Sequence, residues 1–189
     1  MRRIFHSSIF CLFILFLFGC NSERNAVEVM VDGNGQFPKR LTGLWRSDNN
    51  AWEIELKPDG KIAWAIISLG SVKIEPGKTT TVPMRLGGKG VFEPGQWSVG
   101  YMQKQNELTV EISIDYFRTE LGDDVVHGKT LDIFAGPVSQ DGRLWWAERF
   151  SYPEYIVDTS TYHEYKLPVD PNENPKESLL FRKIAEPAD

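Results

Sequence analysis

The stretch ELTVEISIDYF, Glu107–Phe117, decides the fold class. Leu108, Val110, Ile112, Ile114 and Tyr116 fall on one parity; Thr109, Glu111, Ser113 and Asp115 fall on the other. Successive side chains of a strand point to opposite faces, so this period of two predicts a strand with one buried and one wet face. No segment outside it carries a helical period of useful length.

Working outward, the same alternation recurs. Trp52, Ile54 and Leu56 share a parity that excludes Glu53 and Glu55, and Ile62, Trp64 and Ile66 resume it beyond KPDGK. Alternation on both sides of Asp59-Gly60 predicts a hairpin. Further strands are expected at Thr80–Leu86, Gln96–Met102, Thr130–Ala135, Arg143–Phe150, Tyr155–Tyr165 and Leu179–Ile184. Gly, Pro, Asn and Asp turns such as LGGKG, FEPGQ and SQDGR separate them. LPVDPNENPKE is too rich in Pro and charge to pack and reads as an exposed loop, with SLLFRKI returning as a closing strand. Short, evenly spaced strands of this kind predict a barrel or a sandwich. The expectation is an all-β fold: a single antiparallel β-barrel over residues 40–189.

The first twenty residues, MRRIFHSSIFCLFILFLFGC, have a different character. Arg2 and Arg3 precede an apolar run, Ile9–Phe18, with no acidic residue: the layout of a secretory signal. A run of about ten residues is half of what a membrane-spanning helix needs. Its close, Leu17-Phe18-Gly19-Cys20, resembles the lipobox of bacterial lipoproteins, with Phe18 departing from the small or branched residue usual there. The resemblance implies removal of residues 1–19 and acylation of Cys20, so that the membrane is met through acyl chains. Asn21, where Asp commonly retains lipoproteins at the inner membrane, favours the periplasmic face of the outer membrane in a Gram-negative host. Residues 20–39 read as a flexible tether.

Cys11 leaves with the leader, so no disulfide is expected and stability must come from burial; about 170 residues suffice for one sizeable core. Loss of Arg2 and Arg3 leaves 19 Lys and Arg against 26 Asp and Glu, moving the formal charge from −5 to −7. An acidic chain without a basic cluster is a poor match for nucleic acid, which is excluded as a partner.

LTGLWRSDNNAWEIELKPDGKI resembles the opening of lipocalin-like β-barrels, where a Gly-x-Trp plugs the barrel floor. Gly43 and Trp45 match that phrase. The resemblance implies that a late-strand Arg covers the Trp, a role that falls to Arg182. It also implies a chamber that takes one small apolar ligand or lipid. A second Gly-x-Trp at Gly95–Trp97 shows how readily the phrase occurs in a Trp-rich chain.

The six tryptophans include an adjacent pair, Trp145 and Trp146. Neighbours on a strand face opposite ways, so one of them is expected to point outward or into a groove, where it is a candidate ligand contact. Trp45, Trp52, Trp64 and Trp97 are expected in the core. Asp123, Asp124 and His127 share a short stretch, but a metal site needs three or four ligands in fixed geometry, so none is assigned. His163 belongs to an exposed strand face. DGNG fails as a calcium loop, with Phe37 where the turn glycine belongs and Gly43 where the closing Glu belongs. There is no Gly-x-Ser-x-Gly elbow, no phosphate-binding glycine loop and no cysteine left as nucleophile. Glu111 and Glu148 are conceivable paired carboxylates without a motif to select them. No cofactor is expected, and the balance is against an enzyme. The leading expectation is a lipid-anchored envelope protein binding a small apolar ligand; the competing one is an interaction lipoprotein that binds another envelope protein, with the tyrosines of RFSYPEYIVDTSTYHEY as contact surface.

Overall fold

A computed structural model describes residues 27–33, 35–69, 71–84, 87–158, 165–166 and 176–184. These build β1 (Val27–Val31), β2 (Gly43–Ser47), β3 (Glu53–Leu56), β4 (Ile62–Ile67), β5 (Val72–Ile74), β6 (Thr80–Pro83) and β7 (Lys89–Pro94). They continue with β8 (Trp97–Met102), β9 (Glu107–Leu121), β10 (Asp124–Pro137), β11 (Leu144–Asp158), β12 (Tyr165–Lys166) and β13 (Glu177–Lys183). Among the described residues the one helical element is a single 3-10 turn, Lys39–Leu41. The fold is all-β.

The strands join in one sheet of order β1-β8-β9-β10-β11-β13-β2-β3-β4-β5, with β6 on β7, β7 on the distal half of β9, and β12 on the end of β11. Two features correct the expected closed antiparallel barrel. β1 runs parallel to β8, Val27 beside Trp97 through Val31 beside Tyr101, so the sheet is mixed. Its end strands, β1 and β5, are not hydrogen-bonded to each other among the described residues, so the sheet does not close. It curls until the β3–β4 turn meets β1 by packing alone: a Cβ on Gly60 would lie 2.9 Å from Val29 and 2.8 Å from Phe37. Within the stretch 20–39 expected as a tether, Val27–Val31 is a paired strand.

Two bulges explain where the parity reading goes astray. Between β3 and β4 the register slips after Glu55, so Trp64 pairs with Glu55 and lies outside under Lys73, whose Nζ is 4.0 Å from the ring centre. Ala65 and Ile67 take the inner positions. Between β9 and β10 it slips again at Gly128/Thr130, and between β7 and β9 at Glu93/Pro94. Ile114 is the last inward residue of the first parity; Asp115 and Tyr116 both face solvent, and Phe117 and Thr119 turn inward. An extra residue in one strand flips every later side chain, which is what moves Tyr116 out of the core.

The core is aromatic. Trp45, Trp52, Phe134, Trp145 and Phe181 are all at most 1% exposed. Phe181 stacks on Trp145 at 4.7 Å, and Phe134 meets Trp52 edge-on at 4.8 Å. Such pairs add ~0.5–1.5 kcal/mol each beyond the burial of their area. Trp97 is buried as expected and anchors its indole N–H on the Ser113 carbonyl at 2.8 Å.

Candidate functional surface

The alternation of β11 divides the adjacent tryptophans. Trp145 is fully buried, edge-on to Trp45 and stacked on Phe181. Its Nε1 is a buried side-chain donor with no hydrogen-bond partner among the described residues, enclosed instead by rings. An unsatisfied donor of this kind costs ~1–3 kcal/mol. Trp146 lies on the other face, 48% exposed, opposite Leu180 of β13. Beside it on β10, Gly136 allows the strands to touch: a Cβ there would fall 1.9 Å from the Trp146 carbonyl oxygen. Of the two candidate ligand contacts, Trp146 alone is accessible.

The floor phrase is present in a different arrangement. Gly43 opens β2 at φ 112°, a conformation that favours glycine, and the Trp45 indole N–H donates to the Leu41 carbonyl at 2.9 Å. Arg182, however, sits opposite Arg46 and is exposed, on the face of β13 away from buried Phe181. Strand alternation therefore keeps it off Trp45. The arginine that covers a core tryptophan is Arg149 of β11, whose guanidinium carbon is 5.0 Å from the Trp52 ring centre.

Arg149 is also the hub of a partly buried charge cluster that sequence reading missed. Its Nε and Nη2 donate to Asp132 Oδ1 at 2.9 and 2.7 Å, its Nη1 to Glu177 at 2.8 Å, and its Nη2 to the Ser151 hydroxyl at 3.1 Å. Burial pulls the guanidinium pKa down, but the Asp132 charge and the hydrogen bonds that the guanidinium donates to Glu177 and Asp132 outweigh it and leave the group above its ordinary value. A visible signal existed: Arg149 and Asp132 occupy the inward parity of their strands, shared with Ala147 and Phe134.

The distal halves of β9, β10 and β11, with β7 on the β9 edge and β6 beyond it, form an arm whose inner residues Phe92 and Phe117 belong to the buried core. At the β-bulge, a cleft of about 270 Å³ is lined by Asp115, Tyr116, His127, Lys129, Glu154 and Tyr155. His127 Nε2 lies 3.5 Å from Asp158 Oδ2. Among the described residues no three His, Cys, Asp or Glu side chains gather as a metal site, so Asp123, Asp124 and His127 do not form one. At the arm's end, Glu120 accepts from Arg118 and from the Lys89 backbone N–H, tying the β6–β7 turn to the β9–β10 turn. Those same bonds, the Arg118 contact first, hold its carboxyl below the usual range.

The other candidates are dispersed. Glu111 accepts from Ser98 and Glu148 from Lys176, on strands separated by β10. A cleft of about 700 Å³ at the opposite end of the sheet is bordered by Lys57, Arg143 and Lys183, whose Nζ donates to the Arg40 carbonyl. Cys20, with the leader around it, and His163 lie outside the described residues. Compared with known proteins, the chain matches no family model, no curated protein and no solved structure.

Proposed function

We propose that this chain is a bacterial envelope lipoprotein, anchored through acylated Cys20, whose β-domain works as an interaction module for another envelope protein. The observation that carries the choice between the two expected functions is the division of the tryptophan pair. Inside, Trp45, Trp52, Phe134, Trp145 and Phe181 are at most 1% exposed and pack ring against ring, which supports an interior occupied by the protein's own side chains. Outside, Trp146 stands exposed on a β-surface with Leu180 beside it. Exposed aromatics of this kind supply a large amphipathic contact at low entropic cost and are enriched at protein interfaces. The relation to lipocalin-like barrels is part of this proposal only as the Gly43–Trp45 plug at the floor of a curled sheet. The occupant of the apolar space is then the protein's own side chains.

The test is photocrosslinking in cells, with a photoreactive phenylalanine at Trp146 and, as control, at Lys78 on the exposed β5–β6 turn. A discrete crosslinked protein band at position 146 and none at 78 is the expected result. A bare chain at both positions, or a crosslink to lipid or small molecule in place of protein, would defeat the interaction reading.

A further inference from the structure

We infer that the end of the β9–β10–β11 arm is the membrane-facing end of the domain and rests on the lipid headgroups. The inference depends on the proposed Cys20 anchor and adds an orientation to it. Three observations carry it: the direction of β1, the length of chain before it, and the chemistry of the arm's end.

β1 is parallel to β8, and β8 is antiparallel to β9, so the chain enters β1 from the side toward which β9 points. Val27 pairs with Trp97, one position before the Ser98–Glu111 pair, which sets Val27 level with Ile112. From Ile112 to Leu121, β9 advances about 30 Å at ~3.3 Å per residue. From Cys20 to Val27 the chain can span at most about 25 Å even when fully extended. An acylated Cys20 is therefore no farther from the domain than the tip of the arm, in the direction from which the chain arrives. With β1 leading away from the bilayer, the arm reaches the headgroup layer. Holding the arm off the surface would require the chain to reverse within the short segment between Cys20 and Val27.

The end suits an electroneutral headgroup layer. Two turns lie side by side there, joined through Glu120. Leu121 is 37% exposed at the tip, Met84 is half-buried in the neighbouring turn, and Gly122 gives the β9–β10 turn its left-handed residue at φ 69°. Tyr116, also 37% exposed, stands five residues behind Leu121 on the same strand. Apolar tips and tyrosines seat at the water–lipid boundary. Asp123 and Asp124 beside Leu121 oppose an anionic surface, so the surface we assign is zwitterionic, and docking weakens as anionic lipid is added.

The test uses the full-length chain, processed in cells and reconstituted into phosphatidylethanolamine–phosphatidylcholine vesicles. With Cys20 acylated no thiol remains, so Leu121→Cys and Lys104→Cys each give one labelling site, at opposite ends of β9. A polarity-sensitive fluorophore at 121 is expected to be quenched severalfold more by headgroup-proximal spin-labelled lipid than the same fluorophore at 104, and Asp123→Cys should repeat the result. The difference should shrink when phosphatidylglycerol replaces part of the lipid. Intact mass is read on the same samples. Acylated protein with equal quenching, or stronger quenching at 104, overturns the orientation and leaves the anchor standing. Protein without acyl mass overturns the anchor, and the orientation with it.

Discussion

Replacing Arg149 by Met keeps the aliphatic stem and removes the guanidinium fork. Three charge-assisted bonds at 2.7–2.9 Å, the Ser151 bond and the contact with Trp52 disappear together. Asp132, its side chain 5% exposed, is left with the Thr130 hydroxyl at 3.3 Å. Breaking a buried pair from one side costs ~3–5 kcal/mol, because the surviving charge stays out of water. Arg149 keeps 19% of its side-chain exposure, which places the expected loss at the lower end, about 3 kcal/mol. Glu177 is 41% exposed and adds little, on the order of 0–1 kcal/mol. Urea unfolding followed by tryptophan fluorescence should show the midpoint falling by about 1–3 M with an unchanged slope. Arg149→Met combined with Asp132→Leu removes the stranded charge, and stability should return to within about 1 kcal/mol of the parent. A single variant that loses under about 1 kcal/mol, or a double variant no better than the single, would refute the view that Asp132 depends on Arg149.

Three further outcomes follow from the geometry. Trp145→Ala should cost ~3–5 kcal/mol through the cavity it opens among Trp45, Phe134 and Phe181, while Trp146→Ala should stay within about 0.5–1 kcal/mol; thermal unfolding of both separates core from surface. Gly136→Ala forces a Cβ against the Trp146 carbonyl and should destabilise by a few kcal/mol, measured by the same melt, with Gly100→Ala, whose Cβ meets nothing closer than 3.6 Å, as the mild control. The Glu120 carboxyl should titrate below the ordinary glutamate range by NMR and move back toward it in Arg118→Ala. Since the folded value is the lower one, its contribution is present above the unfolded pKa and disappears as pH falls through the folded pKa; amide protection at the arm's end, taken relative to the intrinsic exchange rate at each pH, should fall in that acid window in the parent and not in Glu120→Gln.

Much of the fold was legible wherever a strand kept one partner and one register. Leu108 to Ile114, Trp52 to Leu56 and the Asp59-Gly60 turn read directly, because a pleat with one wet face writes its period into the sequence. The bulges were not legible: nothing in SIDYF or AWAIIS announces the extra residue that carries Tyr116 and Trp64 outward. β1 was hidden for another reason. Its parallel partner lies 70 residues along the chain, and such pairing leaves no local turn signal. VEVMV alternates as well as any strand here, but next to the polar stretch Asn21–Asn25 it read as linker. β7 was lost between two glycine-rich stretches that read as turns. On the site, the split of Trp145 from Trp146 followed from alternation alone. Which arginine meets which tryptophan did not, since that depends on the register between strands distant in sequence: Arg182 carried the family resemblance, and Arg149 has the contact.

The proposed acyl anchor at Cys20 would hold a domain whose interior carries the buried rings of Trp45, Trp52, Phe134, Trp145 and Phe181. Native mass spectrometry of the full-length gene product, extracted from membranes under gentle conditions, tests both halves at once. The account predicts a chain beginning at Cys20, heavier by its covalent acyl groups and carrying no further bound small molecule. A chain without acyl mass, or a stoichiometric non-covalent ligand that survives extraction and is lost on unfolding, would contradict it.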